Sequence, residues 1–261
     1  MSDTDPSRPF PGTPRQWYDD VRLAAGFLTR LIPPPAGIVR PLAQGTRAFA
    51  LVGVGLGAAA GLVYILASGF GLPPVLAAMV PLAALVLAPG ALHEDGLADT
   101  ADGLGGGATK AQKLAIMRDS RIGAYGVVAL MFSLAARVAA ITIIAEPELV
   151  FAALVATAAA SRAAVPALMT LLSAARSDGL GADAGRPGRR DAVLGGVLAL
   201  VVALLALDGA IAVVALTAVG FAVLAVAALA RRQIGGYTGD ILGAAQQISE
   251  VAMLFTVVAL I

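Results

Sequence analysis

Seven apolar runs, each bounded by glycine, proline or charge, dominate the chain: residues 48–67, 76–92, 122–145, 149–169, 192–207, 210–230 and 248–261. A helix that crosses the hydrocarbon core of a bilayer needs about 20 residues and rarely fewer than about 17. The second, fifth and last runs are therefore short for the task. Small residues recur in all of them, which suits close helix packing in lipid. The pattern predicts an all-α, polytopic membrane bundle of about seven transmembrane helices. Neither an internal repeat nor a strand-like alternation competes with it.

The start of the chain reads differently. Residues 1–18, "MSDTDPSRPFPGTPRQWY", are proline-rich and polar. They lack the apolar core of a secretory signal, so they are expected to form a disordered cytoplasmic tail. Residues 19–261 are then one membrane-embedded domain. Within it, Val21 to Leu31 is a short helix-compatible run stopped by Pro33 to Pro35. Arg22 and Arg30 make it a membrane-surface helix rather than a span.

Composition supports lipid as the solvent. The chain is 59% hydrophobic and 13% charged, where a soluble domain carries about a quarter of its residues as charges. The absence of cysteine excludes disulfides, thiolate metal sites, iron–sulfur ligation and a cysteine nucleophile. With the N-terminus in the cytoplasm, sixteen of the eighteen Lys and Arg residues fall on that side. The opposite connections, "SGFGLPP", the turn with Glu146 and Glu148, and Asp208, carry none, as the positive-inside rule requires. A soluble helical protein with buried central helices would not sort its charges this way. Only Arg137 and Arg162 remain inside expected spans.

One stretch interrupts the apolar pattern with chemistry: "HEDGLADTADGLGGG", residues 93–107. Asp95, Asp99 and Asp102 stand at i, i+4 and i+7, so on a helix their carboxylates share one face. Like charges on one stripe destabilise a helix unless something neutralises them. A hard oxygen set with no cysteine and a single histidine suits Mg²⁺ or Mn²⁺. The bland alternative is an exposed acidic turn. The glycines at 103–107 favour a site, because they end a helix and let backbone approach a ligand closely. His93 is expected to orient a ligand, move a proton or cap the span.

Basic groups follow. Lys110, Lys113, Arg118 and Arg121 precede the third apolar run, and Arg118, Asp119 and Arg121 crowd one turn beside "IGAYG". Arginine offers a planar fork to phosphate oxygens and lysine a point charge. For Lys110 and Lys113, ordinary membrane anchoring explains the charges equally well. A late cluster, "RRQIGGYTGDILGAAQQISE", places Asp240 near the start of a helix and Gln246, Gln247 and Glu250 at the mouth of the last run. Arg162 is costly in lipid and is expected to face inward onto a carboxylate or a phosphate. Arg137 receives no assignment.

Carboxylates, a cation and basic groups at one membrane face fit phosphoryl or phosphodiester transfer. No Gly-x-x-x-x-Gly-Lys-Ser/Thr loop is present, which excludes an ordinary P-loop ATPase. The alternative is an ion-coupled transporter using the same carboxylates as a cation site, which calls for them near the midplane.

"HEDGLADTADGLGGG", "IMRDSRIGAYG" and "GGYTGDILGA", in this order, resemble the adenosylcobinamide-GDP ribazoletransferase family, the cobalamin synthases. The likeness runs from about "FLTRLIPPP" to the C-terminus. It implies a multi-pass enzyme of the cell inner membrane, with a cytoplasmic catalytic face, that requires Mg²⁺. The implied reaction joins adenosylcobinamide-GDP to α-ribazole or its 5′-phosphate and releases GMP. Membrane lipid is then a partner, small-residue helix faces allow a homo-oligomer, and nucleic acid is not expected. By motif, Asp95, Asp99, Asp102 and Asp240 would hold the metal, and Arg118 and Arg121 would grip the diphosphate. Lys110, Asp119 and Arg162 complete the substrate-binding set, His93 stands among the catalytic groups, and Asp240 or, next, Asp102 would take the hydroxyl proton.

Overall fold

The computed structural model describes residues 12–33 and 40–261, and every regular element among them is helical. The first helix, α1 (Pro14–Leu28), begins inside the stretch expected to be a tail; residues 1–11 of that tail lie outside the described residues. Thr-Pro-Arg-Gln explains the early start. The Thr13 hydroxyl and Gln16 side chain cap each other's backbone N–H, and Pro14 supplies a preset first helical residue. The expected surface helix is therefore present but shifted, ending at Leu28 rather than Leu31. Buried Asp20 fixes it to the bundle, accepting hydrogen bonds from Arg47 Nε at 2.6 Å and Arg40 Nη2 at 3.0 Å. Arg47 also lies 4.2 Å from the centroid of the Trp17 ring.

A 3₁₀ turn (Leu42–Ala48) leads into α2 (Phe49–Gly69). Then follow α3 (Pro74–Leu87), α4 (Leu92–Gly106), α5 (Lys110–Ile116), α6 (Ala124–Ile144), α7 (Pro147–Leu171), the short α8 (Leu180–Asp183), α9 (Arg189–Ala206), α10 (Gly209–Ile234) and α11 (Gly239–Leu260). All seven apolar runs are helical. Among the described residues, five segments are long and apolar enough to cross a membrane: the 3₁₀ turn with α2, then α6, α7, α10 and α11. A sixth span results when α3 and α4 are taken as one broken crossing. Helix α9 opens with Arg189, Arg190 and Asp191, which shortens its apolar part. Large apolar side chains such as Phe132 on α6, Leu205 on α9 and Phe221 on α10 are 74%, 83% and 67% exposed. Such a belt is unfavourable in water and favourable in lipid. The protein is a multi-pass membrane protein.

Helix α7 is the central post, alanine-rich and mostly buried. Helix α2 lies directly against it because Gly53, Gly57 and Gly61 recur every fourth residue along the contact. A methyl at Gly57 would stand 2.5 Å from the Leu154 carbonyl oxygen, so only glycine admits this approach. Helices α3 and α4 meet at 85°. Gly90 and Ala91 make the bend with φ of 71° and 57°, in the left-handed region. For Ala91 that conformation costs about 1–2 kcal/mol. The turn redirects α4, which packs alongside α6 and α11: Asp102 meets α6 at Gly123 and Gly126, and Glu94 reaches Arg137 further along it.

Candidate active site

Helices α4 and α11 cross at a pair of glycines. A methyl on Gly96 would lie 2.9 Å from the Asp240 carbonyl oxygen and 3.1 Å from Gly243 Cα, so the two backbones touch. This contact brings Asp95, from the first acidic motif, and Asp240, from the last, onto the wall of one cavity of about 130 Å³. His93 and Arg176 also line it, together with Phe27, Leu28, Phe49, Val165 and Met169. Asp240 sits in the first turn of α11 and accepts a hydrogen bond from the Thr238 hydroxyl at 3.0 Å. The same hydroxyl caps the helix by accepting from the Ile241 N–H.

Arg176 was not singled out by the sequence, yet it is the cation nearest this chemistry. Its loop is pinned to the turn before α11: Ala175 N–H donates to the Tyr237 carbonyl at 2.8 Å, and Tyr237 N–H donates to the Ser173 carbonyl at 2.9 Å. Gly236 makes the pairing feasible, since a methyl there would fall 2.9 Å from Ala175 N. Arg176 Nη2 then stands 3.7 Å from the Asp240 carboxylate. Its Nη1 is buried without a hydrogen-bond partner among the described residues. In the sequence this arginine looked like one more member of the positive-inside set.

Asp99 shares this acidic field: Asp95, Asp240 and Asp102 act on it with like charge, and Arg176 opposes them. Acidic groups from two helices thus crowd one end of the molecule. Among the described residues no three His, Asp or Glu side chains form a ready-made metal cage.

Asp102 faces another task. Its two oxygens accept hydrogen bonds from the backbone N–H of Gly123 at 2.7 Å and Gly126 at 2.9 Å, capping the N-terminus of α6. The glycines of "IGAYG" make room for this carboxylate. Those of 103–107 likewise admit protein rather than ligand: Gly103 packs on Met117, Gly105 on the Tyr125 ring and Gly107 on Lys113. Lys113 is buried and its Nζ donates to the carbonyls of Leu104, at 3.1 Å, and Gly107, at 2.5 Å, closing the end of α4.

The other basic candidates stand apart from the cavity. Arg118 donates from Nη2 to both oxygens of Asp178, at 2.5 and 2.6 Å, with both side chains more than half exposed. Arg121 pairs with Asp119, whose carboxyl its hydrogen bonds hold down at about 2. Lys110 is exposed and reaches over the C-terminal turn of α10 at Gly235.

Behind the acidic face lies a buried network. Arg137 Nη1 donates to Glu250 at 2.9 Å and its Nη2 to Glu94 at 3.2 Å. Arg162 Nη1 donates to Glu250 at 3.3 Å, so it meets a carboxylate rather than the cavity. Gln247 and Gln246 donate to Glu94 and Glu250 at 3.0 and 2.7 Å. The unassigned Arg137 is therefore the hub that ties α4 to α6 and α11. His93 is buried beside this network.

The cobalamin-5-phosphate synthase family model matches residues 20–258. Curated relatives named adenosylcobinamide-GDP ribazoletransferase are similar over nearly their full lengths. The one from Bradyrhizobium diazoefficiens is 49% identical, over 95% of this chain and 97% of its own. That from Mesorhizobium japonicum is 47% identical, over 93% of each, and that from Azorhizobium caulinodans 44%, over 91% and 94%. No solved structure matches. The chain belongs to the cobalamin-5-phosphate synthase family.

Proposed function

We infer that this enzyme joins adenosylcobinamide-GDP to α-ribazole or its 5′-phosphate, giving adenosylcobalamin or its 5′-phosphate and GMP. The observation that carries the reading beyond family membership is the meeting of Asp95 and Asp240 on one cavity wall with Arg176 beside them. In the reaction the ribose 3′-oxygen bonds to the phosphorus carried by the cobinamide arm. The bond from that phosphorus to the bridging oxygen breaks, and GMP departs with the oxygen. Asp240, at the cavity wall, takes the hydroxyl proton. Arg176 offers its unpartnered Nη1 to a non-bridging phosphate oxygen. His93, on the cavity wall, orients the acceptor.

Mg²⁺ fits this donor set: the mutual repulsion of Asp95, Asp99 and Asp240 calls for a cation. A closed cage is not required, since Mg²⁺ is commonly held by one or two carboxylates together with substrate phosphates. Bound there by Asp95 and Asp99, with Asp240 adjacent, it would neutralise the diphosphate and the leaving phosphate. Asp102 supports this set from behind by fixing α4 against α6.

We place the site at the cytoplasmic face of the cell inner membrane, where the basic connections gather. The full topology has seven crossings, with α9 as one and α3–α4 as a broken one, and lipid-facing small-residue surfaces accommodate a second copy. Ion-coupled transport is disfavoured because the deeply buried carboxylates, Glu94 and Glu250, are neutralised by Arg137 and Arg162.

The test is GMP release by the detergent-solubilised full chain. It is expected to require adenosylcobinamide-GDP, α-ribazole and Mg²⁺ together. Release that ignores α-ribazole, or no release at all, refutes the reading.

A further inference from the structure

We propose that the cavity between α1, α2, α4, α7 and α11 is the subsite for the acceptor nucleoside, and that its apolar walls select the base. The proposal rests on the reaction assigned above. The cavity has two kinds of lining: Asp95, Asp240, His93 and Arg176 are polar, with Arg176 beside Asp240, and Phe27, Leu28, Phe49, Val165, Met169 and Leu242 are apolar. Phe27 and Phe49 form a stacked pair, with centroids 6.2 Å apart and rings inclined by 15°. Thr46, the hydroxyl in that region, already donates to the Ala43 carbonyl at 2.8 Å.

Size and polarity decide between the substrates. An apolar cavity of about 150 Å³ accepts one benzene-sized ring, so a cavity of about 130 Å³ that is open at its mouth takes a single ring edge-first and leaves the rest of a ligand in the mouth. A corrin macrocycle is far too large. The edge of guanine carries donors and acceptors that the apolar lining leaves unpaired. The base of α-ribazole is a flat, methylated bicycle with no exocyclic donor or acceptor. With one ring against the phenylalanines and α7, it leaves its ribose in the mouth, with the 3′-hydroxyl toward Asp95 and Asp240.

Two measurements test this. Val165→Phe fills space along the apolar lining; it is expected to raise KM for α-ribazole by about tenfold or more while KM for adenosylcobinamide-GDP moves by less than about twofold. An equal or larger shift in the donor's KM overturns the assignment. In the wild-type enzyme, where folding is not at issue, free 5,6-dimethylbenzimidazole is expected to inhibit competitively against α-ribazole and not against the donor. Competition with the donor, or no inhibition up to the solubility limit, also overturns it. Either result in an enzyme that still releases GMP leaves the reaction standing and removes only the subsite.

Discussion

Glu94 and Asp95 are neighbours on α4, yet they belong to opposite kinds of site. Glu94 turns into the bundle, where two glutamates meet two arginines and the charges cancel. Asp95 turns to the cavity, where carboxylates from α4 and α11 face Arg176 and do not cancel. The first arrangement is balanced in charge without a ligand. The second reaches neutrality only when a cation arrives. Charge balance, more than burial or clustering, separates structural acid from functional acid here.

The comparison breaks most severely at Arg137. Arg137→Leu leaves Glu94 without its guanidinium and Glu250 with Arg162 alone, and removing one partner of a buried pair costs about 3–5 kcal/mol. We expect a large fall in the thermal midpoint and poor recovery of folded protein. Arg137→Leu combined with Glu94→Leu is expected to recover part of that loss, since the uncompensated charge leaves with its partner.

The opposite behaviour is expected at Asp99. Asp99→Asn relieves repulsion from Asp95, Asp240 and Asp102, so the metal-free midpoint stays level or rises. GMP release is expected to fall on the order of 100-fold. Mg²⁺ should raise the midpoint of the wild type, because it binds the folded state, and leave that of Asp99→Asn nearly unmoved. Near-normal turnover with an unchanged Mg²⁺ response would remove Asp99 from the cation site.

How much of this contrast is legible in the sequence depends on the range of the forces involved. The helical runs and the shared face of Asp95 and Asp99 follow from local periodicity. Thr13 and Gln16 also announce the start of α1 locally, but a proline-rich context hides them inside an apparent tail. Asp102 keeps the same helical phase as Asp95 and Asp99, and its diversion depends on α6 presenting free N–H groups at Gly123 and Gly126. Arg137, Arg162, Glu94 and Glu250 are separated by up to 156 positions in the chain and meet only through packing. Arg176 is the extreme case. Its position is set by backbone pairing between Ala174 and Tyr237 that no local pattern foretells.

Arg176 and the pair Arg118 and Arg121 therefore give the finest test. The guanidinium of Arg176 is mostly buried beside Asp240 with a free Nη1. Arg176→Lys replaces a planar fork with a point charge and is expected to raise KM for adenosylcobinamide-GDP about tenfold, equivalent to 1.4 kcal/mol.

Arg118→Ala and Arg121→Ala should do much less. Their ion pairs with Asp178 and Asp119 lie at the surface, with the Arg121 side chain 86% exposed, and exposed pairs contribute little to stability. Because both arginines already hold carboxylates outside the cavity, steady-state kinetics should show both KM values within about twofold of wild type for each variant. If Arg118→Ala instead matched Arg176→Lys in its effect on the donor, Asp178 would have to release Arg118 when the diphosphate binds. The loop from Arg176 to Asp178 would then carry cations to the substrate from both of its sides.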